Sequence, residues 1–202
     1  MDPLDILRDE TREPRTEGMD RRDFLKVVTA AAAAVGLSSS VAVRMVEAAT
    51  QGLKPSVIWL HFQECTGCTE SLLRTSHPDV AQLILDLISL DYHETLSAAA
   101  GYQAEKSLHD TMEKHKGQYV CVVEGAIPRK DGGIYCKIGG KTAIDLLNEV
   151  AEHAGAIVAI GSCASFGGIP ASPPNPTGAT GAPRIRKDKT GGTIPGCPAT
   201  PS

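Results

Sequence analysis

The chain has 202 residues, of which 42% are hydrophobic and 22% charged, with a formal net charge of -4. That length accommodates one domain with appendages, in a composition ordinary for a globular protein. The acidic balance and the lack of a long basic run argue against a nucleic-acid partner. Six cysteines, at positions 65, 68, 121, 136, 163 and 197, are too few and too scattered for a small secreted disulfide framework.

Residues 1–19 are charged and lack apolar periodicity, which reads as a disordered leader. "DRRDFLK" (Asp20 to Lys26) follows, and then an apolar run from Val27 to Val43 that is rich in Ala and Ser. Arg21 and Arg22 form a positive n-region ahead of a small-residue h-region. The run is short and polar for a membrane span. The pattern resembles a twin-arginine export signal, with Asp20 where a hydroxyl residue is usual. Compact residues place cleavage after Ala42 or Ala48, so residues 1–48 are assigned to the signal and 49–202 to the mature domain. The other reading of this stretch is a signal for unfolded export or a buried helix.

From Pro55 onward, strand-like and helix-like segments alternate. "SVIWLHF" is a nearly continuous apolar run that suits a buried parallel strand. A helix is expected from Pro78 through "DVAQLILDLI", since proline is favoured in a first turn. "SLDYHETL" reads as a second strand, and "AEKSLHDTMEKHKG" as an amphipathic helix ended by Gly117. "QYVCVVEGAIP" is a third strand, and "KTAIDLLNEVAEHAGA" a helix with Ile144, Leu147 and Val150 on one side. "AIVAIGSCASFGG" is read as a fourth strand running out into glycines. Beyond Gly167 comes a Pro/Gly/Ala loop, a basic patch "RIRKDK", and a further short extended run before "IPGCP". This alternation implies a doubly wound α/β domain with a parallel sheet.

In such a sheet, ligands gather at the carboxyl ends of the strands. Cys65 and Cys68 follow the first strand, Cys163 the fourth, and Cys197 the last extended run, so the four share one rim. Cys121, inside an apolar strand, reads as a packing residue, and Cys136, on a hairpin beside glycines, as structural. A thioredoxin-like redox pair would account for Cys65 and Cys68 but not for Cys163 or Cys197. Structural zinc commonly takes two local pairs, whereas the second half here is two single cysteines. An iron–sulfur cubane, whose ligands need only converge from separate loops, fits better. Neighbouring glycines and prolines let the backbone approach such a cluster and aim amides at its sulfurs.

"ECTGCTESLLR", "VEGAIP", "IGSCASFGG" and "IPGCP", in that order after the twin-arginine leader, resemble the small subunit of nickel–iron hydrogenases, in particular the membrane-associated uptake group. The resemblance implies a flavodoxin-like domain that holds a proximal [4Fe-4S] cluster through Cys65, Cys68, Cys163 and Cys197. It also implies a Ni–Fe centre in a separate large subunit, so that no catalytic metal ligand lies in this chain. The twin-arginine translocase would deliver the pair to the periplasm. A membrane cytochrome b, or an iron–sulfur or quinone-linked subunit, would receive the electrons.

By the same likeness, Glu64 and Thr66 face the large subunit and support a proton path; the alternative is that they cap the loop and helix start. His61, where the family often has a small or amide residue, is read as packing. Oxygen-tolerant relatives carry two further cysteines at the positions of Gly67 and Gly168, so an ordinary four-cysteine cluster is expected here. Family members continue well past the point where this sequence stops. Medial and distal clusters are therefore expected only in a C-terminal part absent from it. Two alternatives are a quinone-reductase-like electron-transfer module, which typically has adjacent cysteines, and a periplasmic thiol–disulfide protein.

Overall fold

A computed structural model of the chain describes residues 54–188 and 191–200. The export leader, with Arg21, Arg22 and both cleavage positions, lies outside the described residues. Ser56–His61 (β1) is buried along its whole length, as its unbroken apolar sequence demands. It is flanked in a five-stranded sheet by Ser89–His93 (β2), Val120–Glu124 (β3), Ala156–Ile160 (β6) and Gly191–Ile194 (β7). The order is β2-β1-β3-β6-β7, with every pairing parallel. This is the flavodoxin-like doubly wound order, with its switch point between β1 and β3. Two short strands, Lys137–Ile138 (β4) and Lys141–Thr142 (β5), form a separate antiparallel hairpin just after Cys136.

The two faces of the sheet follow the period-two alternation of strand side chains. Ile58, Leu60, Cys121 and Val123 face the larger core with Leu108, Met112, Leu146, Leu147 and Val150. These last come from helices Tyr102–Lys114 (α3) and Ala143–Glu152 (α4). Each such side chain contributes on the order of 1.5–3 kcal/mol by leaving water. The alternate residues Val57, Trp59 and Val122 form a smaller cluster with Leu72 and Ile88 on the opposite face. Thr142 caps α4, its hydroxyl accepting the Asp145 amide at 3.2 Å.

Two segments differ from expectation. The helix after Pro78 is a single α-turn, Val80–Gln82 (α2), entered through a capping box between Asp79 and Gln82. It then widens to a π-helical turn over Leu83–Leu87, closed by the Ile88 amide on the Leu83 carbonyl. The second difference bears on the site. "GSCASF" does not prolong the fourth strand; it is a helix, Gly161–Phe166 (α5). Gly161 takes a positive φ of 79° and turns the chain away from the sheet. The Ser165 hydroxyl then donates back to the Ala159 carbonyl at 3.2 Å.

Strand register sets the position of the site. His61 pairs with Glu124, Glu124 with Ile160, and Ile160 with Ile194. Four adjacent strands therefore end on one level line, and the loops that follow them lie side by side.

Candidate metal centre

The loops leaving β1, β6 and β7 at that line carry the four cysteines that the sequence places on this rim. After β1, the chain reaches Cys65 and enters the helix Gly67–Leu73 (α1), which carries Cys68. Cys163 lies in α5, and Cys197 follows β7. The last two loops are tied together: the Ser162 amide donates to the Gly196 carbonyl at 2.7 Å, and the Gly196 amide to the Ser162 hydroxyl at 3.3 Å. All four thiols are free, with Cys65 and Cys197 exposed and Cys68 and Cys163 half-buried.

The thiols sense one another. Burial pushes Cys68 up, Glu124, Cys163 and Cys65 push the same way, and a backbone hydrogen bond at Ala199 pulls it down. Burial likewise raises Cys163, reinforced by Cys197, Cys65 and Glu64 and opposed by a backbone hydrogen bond at Ile169. A metal cation reverses this balance, because it favours the thiolate form of every ligand.

Glycines make the space between the sulfurs. A Cβ on Gly161 would stand 2.5 Å from the Cys68 sulfur, and one on Gly168 would stand 2.7 Å from that of Cys163. Both residues also have positive φ, 79° and 52°, where a side chain is strained. A Cβ on Gly67 would come within 3.1 Å of the Cys65 sulfur.

Four thiolates on one zinc, each about 2.3 Å from the metal, stand within about 4 Å of one another. Among the described residues, the group of three or more ligating atoms lying within 4.8 Å of one another is His61, Glu64 and Glu124, not the thiols. No three of the thiols stand that close together, and the four soft ligands come from three separate segments, after β1, in α5 and after β7. That donor set, four soft thiols converging from separate segments, fits an iron–sulfur core.

Within the His61, Glu64 and Glu124 group, Glu124 is accounted for by hydrogen bonds, whereas His61 Nε2 and Glu64 Oε2 are buried without a hydrogen-bond partner among the described residues. Glu124, 2% exposed at the end of β3, takes four donors. The Cys68 and Thr69 amides reach its Oε1 at 3.0 and 3.3 Å. The Thr69 hydroxyl and the Trp59 indole N–H reach its Oε2 at 2.6 and 3.1 Å. With both oxygens occupied, Glu124 serves as a long-range cap for α1 rather than as a metal ligand. The proposed capping role of Thr66 is not seen: it sits at the N-cap in the left-handed region, φ 61°, without a side-chain cap. Its hydroxyl donates instead to Glu64 Oε1 at 3.2 Å, where His61 Nδ1 also approaches to 3.3 Å.

The structure therefore brings Cys65, Cys68, Cys163 and Cys197 to one rim with Glu64 and Thr66 beside them. It separates off Cys121, which is fully buried in β3 with its thiol pushed up to about 12 by burial. Cys136 packs against the larger core. Sequence reasoning sees Glu124 at the end of the third strand but gives no role to Glu124, Thr69 or His93. The available signal was a lone carboxylate ending the apolar run "VCVVE", where burial obliges it to find donors.

The family model described as NADH ubiquinone oxidoreductase, 20 Kd subunit, matches residues 65–202, and the chain belongs to that family. Within it, the chain is homologous to hydrogenase small subunits. It is 53% identical over 186 residues to the Hydrogenase-2 small chain of Escherichia coli (strain K12), across 92% of this chain and 50% of that one. Its identity to the uptake hydrogenase small subunit of Azotobacter vinelandii is 46% over 184 residues, covering 91% and 51%. Among solved structures, the Ni-Fe-Se hydrogenase from Desulfomicrobium baculatum in a reduced, active form superimposes with a TM-score of 0.72. Identity there is 38%, over 73% of this chain and 58% of that one. The chain spans about half the length of the curated relatives it matches.

Proposed function

We propose that the chain is the electron-transferring small subunit of a nickel–iron hydrogenase, with Cys65, Cys68, Cys163 and Cys197 holding a proximal [4Fe-4S] cluster. The observation that carries this reading is the meeting of four free thiols around glycines that cannot bear a side chain. When bound, such a cluster supplies one-electron storage between a Ni–Fe centre in a large subunit and the next carrier. The chain's own residues prepare for it. Glu124 fixes the start of α1 and so the direction of the Cys68 thiol. Gly161 and Gly168 keep the backbone close, and backbone hydrogen bonds at Ala199 and Ile169 oppose the burial of two sulfurs.

The large subunit would dock over the loops of Cys65 and Cys163. Phe166 and Ile169, beside Cys163, are 65% and 76% exposed. Next to them runs a groove lined by Gln63, Glu64, Pro173, Pro176 and Thr177. Large exposed apolar side chains beside a groove lined mainly by prolines and Ile169, with Gln63 and Glu64 at its polar edge, suit a protein partner. Glu64 and Thr66, hydrogen-bonded to each other at this edge, would meet that partner and support proton movement. Arg21 and Arg22 would direct export to the periplasm by the twin-arginine pathway, in company with the large subunit. Onward carriers, whether further clusters or a membrane cytochrome b, would lie outside this sequence. Among the described residues, no helix is long and apolar enough to cross a membrane.

The description of the matching family also accommodates a quinone-reductase-like electron-transfer module. The C-x-x-C spacing and the 53% identity to a hydrogenase small chain favour the hydrogenase reading. Producing the full chain anaerobically with a nickel–iron large subunit tests it. A stable complex whose iron–sulfur signal is reduced by hydrogen gas is the expected result. A chain that stays monomeric beside mature large subunit, or a complex whose signal ignores hydrogen, contradicts it.

A further inference from the structure

His93 ends β2, on the edge of the sheet and one strand away from the cysteine loops, yet it is 0% exposed. Its partners determine its tautomer. Nδ1 faces two backbone N–H groups, Thr95 at 3.2 Å and Leu96 at 3.3 Å, so Nδ1 accepts. Burial, together with the His61 ring 4.6 Å away, pushes its pKa down to about 4, so the ring is neutral near pH 7. A neutral imidazole carries one N–H, which must then be on Nε2. That nitrogen stands 3.4 Å from the Thr69 hydroxyl.

Thr69 is buried, 1% exposed, and its hydroxyl has one proton to give. Glu124 Oε2, at 2.6 Å, is an acceptor and takes it. The hydrogen-bond direction is therefore fixed along the whole row: His93 donates to Thr69, and Thr69 donates to Glu124. Glu124 in turn receives the Cys68 amide on its other oxygen.

We propose that His93 is a positioning residue of the cluster site, orienting the Thr69 hydroxyl onto Glu124 and so holding Glu124 against the Cys68 loop. This inference rests on the cluster reading given above. Through this relay, the turn after the edge strand reaches a thiolate ligand without touching it. Outer groups of this kind set ligand orientation and potential at metal sites. With the Thr69 hydroxyl released, less of the Glu124 negative charge is compensated next to the cluster. The reduced, more negative cluster is then disfavoured, and the midpoint potential falls.

Two substitutions separate this role from simple support of the turn. His93→Asn keeps an acceptor for the Thr95 and Leu96 amides but stops short of Thr69. His93→Gln keeps a nitrogen donor where Nε2 stands but gives up the acceptor. Both are measured in the full chain, loaded anaerobically with iron and sulfide, by redox titration monitored by paramagnetic resonance. Hydrogen exchange at the Cys68 and Thr69 amides supplies a second readout. The relay predicts a lower potential and faster exchange in His93→Asn, with His93→Gln close to the parent. It also predicts that adding His93→Asn to Thr69→Val lowers the potential no further than Thr69→Val alone. The opposite ranking, equal effects in both variants, no shift in either, or additive effects in the double variant would each overturn it. A parent chain that takes up no cluster rejects the cluster reading instead, and the exchange rates then decide the relay by themselves.

Discussion

Cys121 lies on β3 and Cys163 just beyond the neighbouring strand β6, in α5, and their chemistry diverges because one strand is still running and the other has ended. Cys121 pairs in register with Ile157 in mid-sheet, has no exposed surface, and is held as a thiol by burial. Cys163 lies past the line where four strands stop together. There, glycines replace side chains and three further thiols converge on it. Residue type alone does not make a ligand. The interior of the sheet makes cysteine a small apolar filler, and the carboxyl rim makes it a donor.

The sharpest way to break this comparison is to remove one cysteine of each kind. Cys163→Ser should abolish cluster retention, seen as loss of bound iron and of visible absorption. Cys121→Ala should keep the cluster and cost about 1 kcal/mol of stability in denaturant unfolding. Cluster loss in both variants, or in neither, would erase the distinction between rim and interior.

A smaller effect tests the glycines of the rim against those elsewhere. Gly161 and Gly117 have nearly the same backbone angle, φ 79° and 76°. A Cβ at Gly161 meets the Cys68 sulfur, whereas one at Gly117 meets nothing within 4 Å. Alanine at either position should cost about 1–2 kcal/mol in backbone strain. Only Gly161→Ala should also lower the iron content. Equal iron in the two variants would show that the rim glycine serves the backbone alone.

The finest test concerns how many electrons the rim handles. With Gly67 and Gly168 in place, the rim offers four cysteines to the proposed cluster, and a Cβ at either glycine would crowd one of their sulfurs. Redox titration should show a single one-electron step between the 2+ and 1+ states, and the assembled enzyme should be inactivated by air. Two successive steps would contradict this, and Cys121→Ala and Cys136→Ala would then show whether an interior thiol was responsible.

Much of this was legible in the sequence, because the signals were local or periodic. Continuous apolar runs marked β1, β3 and β6, and the spacing of Ile144, Leu147 and Val150 marked α4. The strand-end rule then placed four cysteines on one rim before any coordinates. The helix in "GSCASF" was hidden because a glycine of positive φ separates two segments that read as one apolar run. Glu124 and His93 were hidden for a different reason: their roles lie in partners 55 and 24 residues away in sequence, a relation that no local pattern carries. Thr66 had the composition of a cap, yet the cap came from another strand.

The central claim is that the four rim thiols hold a cubane and not a single metal ion or a disulfide. Iron, acid-labile sulfide and zinc, measured on the full chain purified without oxygen, test it most directly. The account predicts roughly four iron and four sulfide per chain and no stoichiometric zinc. One zinc per chain, or two titratable thiols at Cys65 and Cys68 with no iron, would contradict it.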